Sequence, residues 1–193
     1  MKNKISNYKF FLIFFMFFSS ENFAKNSSNL ENIILAGGCF WGVEDLFQKF
    51  DGVVETEVGY SGGLSENPTY QTVSMGLTGH AESVKITFDN SKTSLEKILK
   101  FFFAIHDPTQ LNQQQNDVGT QYRSAIFYFN DKQKQKAETV IKQAEELKIY
   151  KSKIQTKISP ATKFYKAENY HQNYLKNNPD GYTCHYVRTE WKF

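Results

Sequence analysis

Apolar positions along the chain repeat with two different periods, and the switches between them mark its elements. "NIILA" (32–36) is a short unbroken apolar run followed by glycine, the pattern of a buried strand. After Gly37 and Gly38 the spacing changes. Val43, Leu46, Phe47 and Phe50 fall at i, i+3, i+4 and i+7, one face of a helix that Asp51-Gly52 ends. "VVETEVGY" (53–60) alternates, with Val54, Thr56, Val58 and Tyr60 on one side and Glu55 and Glu57 on the other. "SVKITFD" (83–89) alternates through Val84, Ile86 and Phe88. Thr93-Ser-Leu-Glu96 has the form of a capping box opening a helix with Leu95, Ile98, Leu99 and Phe102 on its inner face. "SAIFYF" (124–129) predicts another strand, and Asp131 to Leu147 a polar helix with a narrow stripe of Ala137, Val140, Ile141 and Ala144. "KIQTKIS" (153–159) reads as an edge strand and "KAENYHQNYL" (166–175) as a last short helix.

The first six of these elements run β-α-β-β-α-β, the split βαβ order of ferredoxin-like folds. The expected fold is therefore a two-layer α+β domain, helices on one face of the sheet, with long loops and a C-terminal extension. Two stretches, Ser61 to Gly79 and Asp107 to Tyr122, show little periodicity and many polar and aromatic residues. Loops of that length in a compact domain tend to carry function. Fold alone does not name a chemistry.

The 193 residues suffice for one domain with a proper core. A net charge of +3, with lysines scattered among acids and no basic block interleaved with aromatics, argues against a nucleic-acid partner. Part of the 16% aromatic content sits at the N-terminus. There Lys2, Lys4 and Lys9 precede an apolar run from Phe10 to Phe18, and small residues follow to Ala24. Positive, apolar, small is the order of an export signal, and the run is far short of the ~20 residues a spanning helix needs. Residues 1–24 are thus expected to be an export signal, 25–31 a linker and 32–193 a single domain, the protein being periplasmic or secreted. Asn22 is a poor residue three places before a cut at Ala24, so an uncleaved anchor stays open.

Candidate chemistry centres on Cys39, one of two cysteines, preceded by two glycines and followed by Phe40 and Trp41. Between a strand and a helix, backbone N–H groups and the helix dipole would favour a thiolate. The alternative is a buried packing cysteine. His80-Ala81-Glu82 superficially matches the H-x-E of zinc deaminases, but the accompanying P-C-x-x-C is absent. His106 ends a helix, where a histidine can simply cap it. Cys184 and His185 are neighbours, so in an extended segment their side chains would point apart. No metal set can be assembled at proper spacing. A Cys-His hydrolase or acyl transferase would need His80 or His171 beside Cys39, and a non-enzymatic exported domain could use Cys39 and Cys184 as a structural staple. The residues alone leave these open.

Seven motifs in order, "GGCFWGVE" (37–44), "GYSGG" (59–63), "NPTY" (67–70), "TGHAE" (78–82), "HDPTQ" (106–110), "NDVGTQYRS" (116–124) and "AENYHQNYL" (167–175), together resemble peptide methionine sulfoxide reductases of the A type. The resemblance runs from about residue 32 to 185. It implies reduction of the S epimer of methionine sulfoxide, free or in oxidised proteins, by Cys39 attack on the sulfoxide sulfur. Phe40 and Trp41 would hold the methyl group. Glu82 would be a protonated acid kept neutral by burial, and Tyr70 and Tyr122 would donate to the sulfoxide oxygen. Asp117 would support the site by hydrogen bonding. The Cys39 sulfenic acid would condense with Cys184, placed in a flexible tail, to a disulfide. The resemblance further implies no bound cofactor and an external dithiol reductant, a thioredoxin-like protein. Val118 departs from the family pattern, many relatives having histidine there.

Overall fold

A computed structural model describes residues 29–193. The expected export signal and most of the linker lie outside the described residues. Strand β1 (Leu30–Gly37) opens the domain, followed by α1 (Phe40–Gln48), β2 (Val53–Ser61), α2 (Tyr70–Ser74), β3 (Ala81–Asp89) and α3 (Leu95–Ile105). A small hairpin of β4 (Gln113–Gln114) and β5 (Asp117–Val118) follows, then β6 (Ser124–Tyr128), α4 (Asp131–Glu146), β7 (Lys157–Pro160), β8 (Tyr165–Lys166) and α5 (Tyr174–Asn177).

The main sheet has the order β7-β6-β1-β3-β2-β8. Its inner four strands are all antiparallel, and β7 adds parallel to β6 at the edge. That is the ferredoxin-like order, with the strand that leads to Cys39 bonded on both sides. β1 buries both faces. Ile33 and Leu35 meet the helices, whereas Ile34 and Ala36 face Ala81, Ala125 and Phe127 under Ala161 and Phe164. This two-sided burial is why the strand reads as a continuous apolar run. On the helix side Phe47 of α1 and Phe102 and Phe103 of α3 are fully buried, each contributing ~1.5–3 kcal/mol of transfer free energy.

Four expectations need correction. A bulge between Val53 and Glu55 makes Val54 the extra residue, so it is exposed rather than on the inner face. The cap of α3 is Ser94, whose Oγ accepts from the Lys97 N–H at 3.3 Å. Glu96 instead bridges Lys100 and Lys136. Residues 166–175 are not one helix. β8, a 3-10 turn over Asn169–His171 and α5 share them, because Asn173 at φ 56° breaks the helical path. The first long loop, finally, contains a short helix, α2, opened by a reciprocal Thr69–Thr72 capping box.

Candidate active site

Cys39 follows β1 and is the N-cap of α1, 7% exposed. Gly38 before it takes φ +104°, which a side chain rarely adopts, and so turns the chain sharply into the helix. The free Phe40 N–H at the helix start does not serve the sulfur. It donates to Glu82 Oε2 at 3.1 Å. Burial, followed by the charge of Glu82, therefore pushes the Cys39 thiol well above its ordinary range, with the Trp41 N–H only partly offsetting it. This corrects the expectation of a thiolate stabilised by the helix end: the dipole is present, but its first donor is occupied and the sulfur is buried.

Glu82 is the second residue of the central strand β3, opposite Tyr60 of β2, and is 2% exposed. Desolvation pushes its carboxyl up to about 8, despite the Phe40 hydrogen bond that favours the charged form. At neutral pH it is chiefly the protonated acid. Tyr70, first residue of α2, and Tyr122, last residue of the 3-10 turn Thr120–Tyr122, both feel the charge of Glu82, of Asp117 and of Cys39. The two long loops thus bring these residues onto one site. Burial raises both phenols, Tyr70 to about 12, so each keeps its proton.

Phe40 and Trp41 occupy the first turn of α1, Phe40 fully buried in the core. The Trp41 indole N–H donates to His171 Nδ1 at 3.1 Å, and its ring stacks on Tyr174. Asp117, in β5, accepts from the Cys184 thiol (3.3 Å) and from the Tyr182 hydroxyl (3.2 Å), so its contacts are with the C-terminal segment. Val118 points out, 69% exposed. Both cysteines carry free thiols and both are buried.

Cys184 does not sit in a flexible tail. Its carbonyl accepts from Gln115 Nε2, and His185 Nε2 bonds the Gly37 carbonyl at 2.8 Å. A β-carbon on Gly42 would lie 2.5 Å from Thr183 Oγ1, so this glycine allows the segment to lie against α1. Burial and the Asp117 carboxylate push the Cys184 thiol up to about 12.

His80 and His106 are committed elsewhere. His80 Nδ1 accepts from the Gly63 N–H and Nε2 bonds the Ser65 carbonyl, tying down the first loop. His106 caps α3, bonded to the Phe102 carbonyl and Ser124 Oγ, and burial drives it down to about 3. His171 accepts from the Trp41 indole and packs against the rings of Phe40 and Tyr70, beside the same site. Sequence reading missed Glu168, which accepts from the Tyr60 hydroxyl (2.8 Å) and the Tyr70 N–H (2.9 Å), clamping α2 to the sheet. Its position within "AENYHQNYL" was the available signal.

A cysteine beside a buried neutral acid and two protonated phenols matches the expected family, and comparison with known proteins decides the matter. The family model described as peptide methionine sulfoxide reductase matches residues 31–192. The chain belongs to that family. It is 50% identical over 165 residues to the peptide methionine sulfoxide reductase MsrA of Mycobacterium sp. (strain MCS), covering 86% of this chain and 94% of the relative. Reduced Mxr1 from Saccharomyces cerevisiae superimposes with a TM-score of 0.79 at 37% identity, over 83% of this chain and 93% of that one. Mxr1 crystallised with Trx2 matches in fold, with a TM-score of 0.58 at 24% identity, over 87% and 96% of the two chains. The protein is accordingly an oxidoreductase, a methionine sulfoxide reductase.

Proposed function

We propose that the chain reduces the S epimer of methionine sulfoxide, in proteins or free, with Cys39 as nucleophile and Glu82 as proton donor. The observation that carries this reading is the Glu82 carboxyl, buried at the start of α1, hydrogen-bonded to the residue after Cys39 and protonated at neutral pH. A sulfoxide sulfur is a poor electrophile until its oxygen is protonated, and a neutral carboxylic acid supplies that proton. Tyr70 and Tyr122 donate to the same oxygen, and Phe40 and Trp41 wall the methyl group.

As Cys39 Sγ attacks, the oxygen passes to it, methionine leaves and Cys39 remains as sulfenic acid. Cys184 then condenses with it, releasing water and leaving a Cys39–Cys184 disulfide. An external thioredoxin-like dithiol reduces that bond; yeast Mxr1, a relative by sequence and fold, has been crystallised with Trx2. The single catalytic domain spans 32–193, and the basic-apolar-small order of residues 1–24 supports export to the periplasm or beyond.

The test is turnover of each sulfoxide epimer with a dithiol reductant, together with the one-equivalent burst of methionine when the reductant is withheld. Release of methionine from the R epimer alone, or turnover in Cys39→Ser, would overturn the reading.

A further inference from the structure

We infer that His185 is the base that takes the proton from Cys184 when the disulfide forms, an inference resting on the roles of Cys39 and Cys184 proposed above. The geometry fixes the tautomer. His185 Nε2 lies 2.8 Å from the Gly37 carbonyl. A carbonyl only accepts, so the proton sits on Nε2 and Nδ1 presents its lone pair. Nδ1 is 3.5 Å from Cys184 Sγ. His185 is 6% exposed and, with burial outweighing the Gly37 hydrogen bond, it stays neutral down to about pH 4. The groups facing it are Cys184 and Asp117 on one side, Arg188 of its own segment, and buried His106 at the end of α3.

Cys184 needs such a partner. Its thiol is pushed up to about 12, so the reactive thiolate is scarce at neutral pH. Two acceptors meet it, Asp117 Oδ2 and His185 Nδ1, but the carboxylate also receives the Tyr182 hydroxyl and opposes a negative sulfur. The imidazole is uncharged before the transfer, so it accepts the proton without the repulsion a carboxylate exerts on the forming thiolate.

The step balances. Nδ1 takes the thiol proton, Cys184 Sγ attacks Cys39 Sγ, the S–S bond forms and the S–O bond of the sulfenic acid breaks. The released proton ends on the departing hydroxyl, giving water. The Cys39 sulfur is reduced by one electron equivalent and the Cys184 sulfur oxidised by one, so no other redox partner enters.

The test is a single-turnover experiment without reductant, following methionine release and loss of free thiols separately between pH 5.5 and 8.5 in wild type and His185→Gln. Glutamine keeps a donor for the Gly37 carbonyl and lacks a basic nitrogen. In the wild type, disulfide formation is expected to be nearly independent of pH across this range. In His185→Gln it should slow about 100-fold at pH 7 and rise about ten-fold per pH unit as hydroxide takes over, with the slowing falling on this step rather than on the methionine burst. A uniform slowing that keeps the wild-type profile would make His185 a structural anchor only. An unchanged His185→Gln, with Asp117→Asn acquiring the slope, would assign the proton to Asp117. Wild-type disulfide formation that itself climbs ten-fold per unit would overturn the inference even if the variant fails to fold. Absence of the wild-type burst would sink the parent reading and this one with it.

Discussion

The Trp41 indole lies parallel to the Tyr174 phenol, ring centroids 3.8 Å apart and planes 14° apart. The two residues are far apart in the sequence, one in the first turn of α1 and the other at the start of α5. The stack and the His171 hydrogen bond hold Trp41 from two sides. If Trp41 walls the methyl slot, Tyr174→Ala should loosen it without touching substrate. Such a stack is worth ~0.5–1.5 kcal/mol, so the preference for a methyl over an ethyl sulfoxide should fall by about two- to ten-fold. Ratios of kcat/KM for the two substrates measure this. An unaltered ratio would remove Trp41 from the selectivity.

Glu82→Gln preserves shape and removes the transferable proton. The burst rate should drop ~10²–10⁴-fold. In the wild type the rate should decline as pH rises through about 8, where Glu82 ionises; the variant should show no such decline. Stopped-flow methionine release over pH 6 to 9.5 gives both profiles.

Glu44 offers a test of stability rather than rate. It is 2% exposed, accepts from the Asn173 N–H (2.8 Å) and Thr56 Oγ1 (3.3 Å), and burial pushes its carboxyl up to about 7. Its folded pKa lies above the unfolded value of 4.5. The stability it contributes is thus complete below pH 4.5 and lost as pH rises through about 7. Glu44→Gln keeps one oxygen to accept from the Asn173 N–H and turns an amide N–H toward the Thr56 hydroxyl, which can accept it, so it should melt close to wild type at pH 4.5 and above it at pH 8. Thermal melts at the two pH values check the sign.

Gly42→Ala should separate the two half-reactions. Its β-carbon would meet Thr183 Oγ1 at 2.5 Å and His185 Nδ1 at 2.6 Å, so the Cys184 segment must shift. The methionine burst should persist while disulfide formation slows at least ten-fold, a level typical of misplaced reacting groups. Parallel loss of both phases would show that the contact shapes the Cys39 site itself.

Cys184→Ser should likewise give one equivalent of methionine and then stop, with Cys39 trappable as sulfenic acid. Cys39→Ser should lose even that first equivalent. A structural staple would instead make both variants melt lower by similar amounts and leave no burst to compare.

Where a strand buries both faces or a helix carries a wide apolar stripe, the pattern was readable: β1, α1 and α3 lie close to where the spacing puts them. The residues that converge on Cys39 followed from ordered motifs rather than from periodicity. The failures have local causes. Thr93 and Ser94 are adjacent and both able to cap, so the sequence could not say which one does. The aromatics of 166–175 mimic helical spacing, yet left-handed Asn173 breaks the path. Cys184 and His185 were read as diverging because neighbours alternate in an extended chain. Here anchoring of His185 on the Gly37 carbonyl brings Nδ1 to 3.5 Å from the sulfur. Contacts such as Trp41–Tyr174 and Tyr70–Glu168 join residues far apart in the chain, and no local pattern encodes them.

The two thiols also differ in what must open to release them. Cys39 is carried by a strand paired on both sides at the middle of the sheet. Cys184 belongs to a terminal stretch outside any helix or strand, held by a few side-chain and backbone bonds, Arg188 N–H to the Ala104 carbonyl among them. Opening energies follow such differences, so releasing the anchored Cys184 segment costs less than parting the strands around Cys39. The connecting residues 176–180 are exposed, the kind of segment that proteases cut first. A single nick there, with loss of the tail, would turn a recycling catalyst into a reagent that acts once on oxidised methionine and is spent.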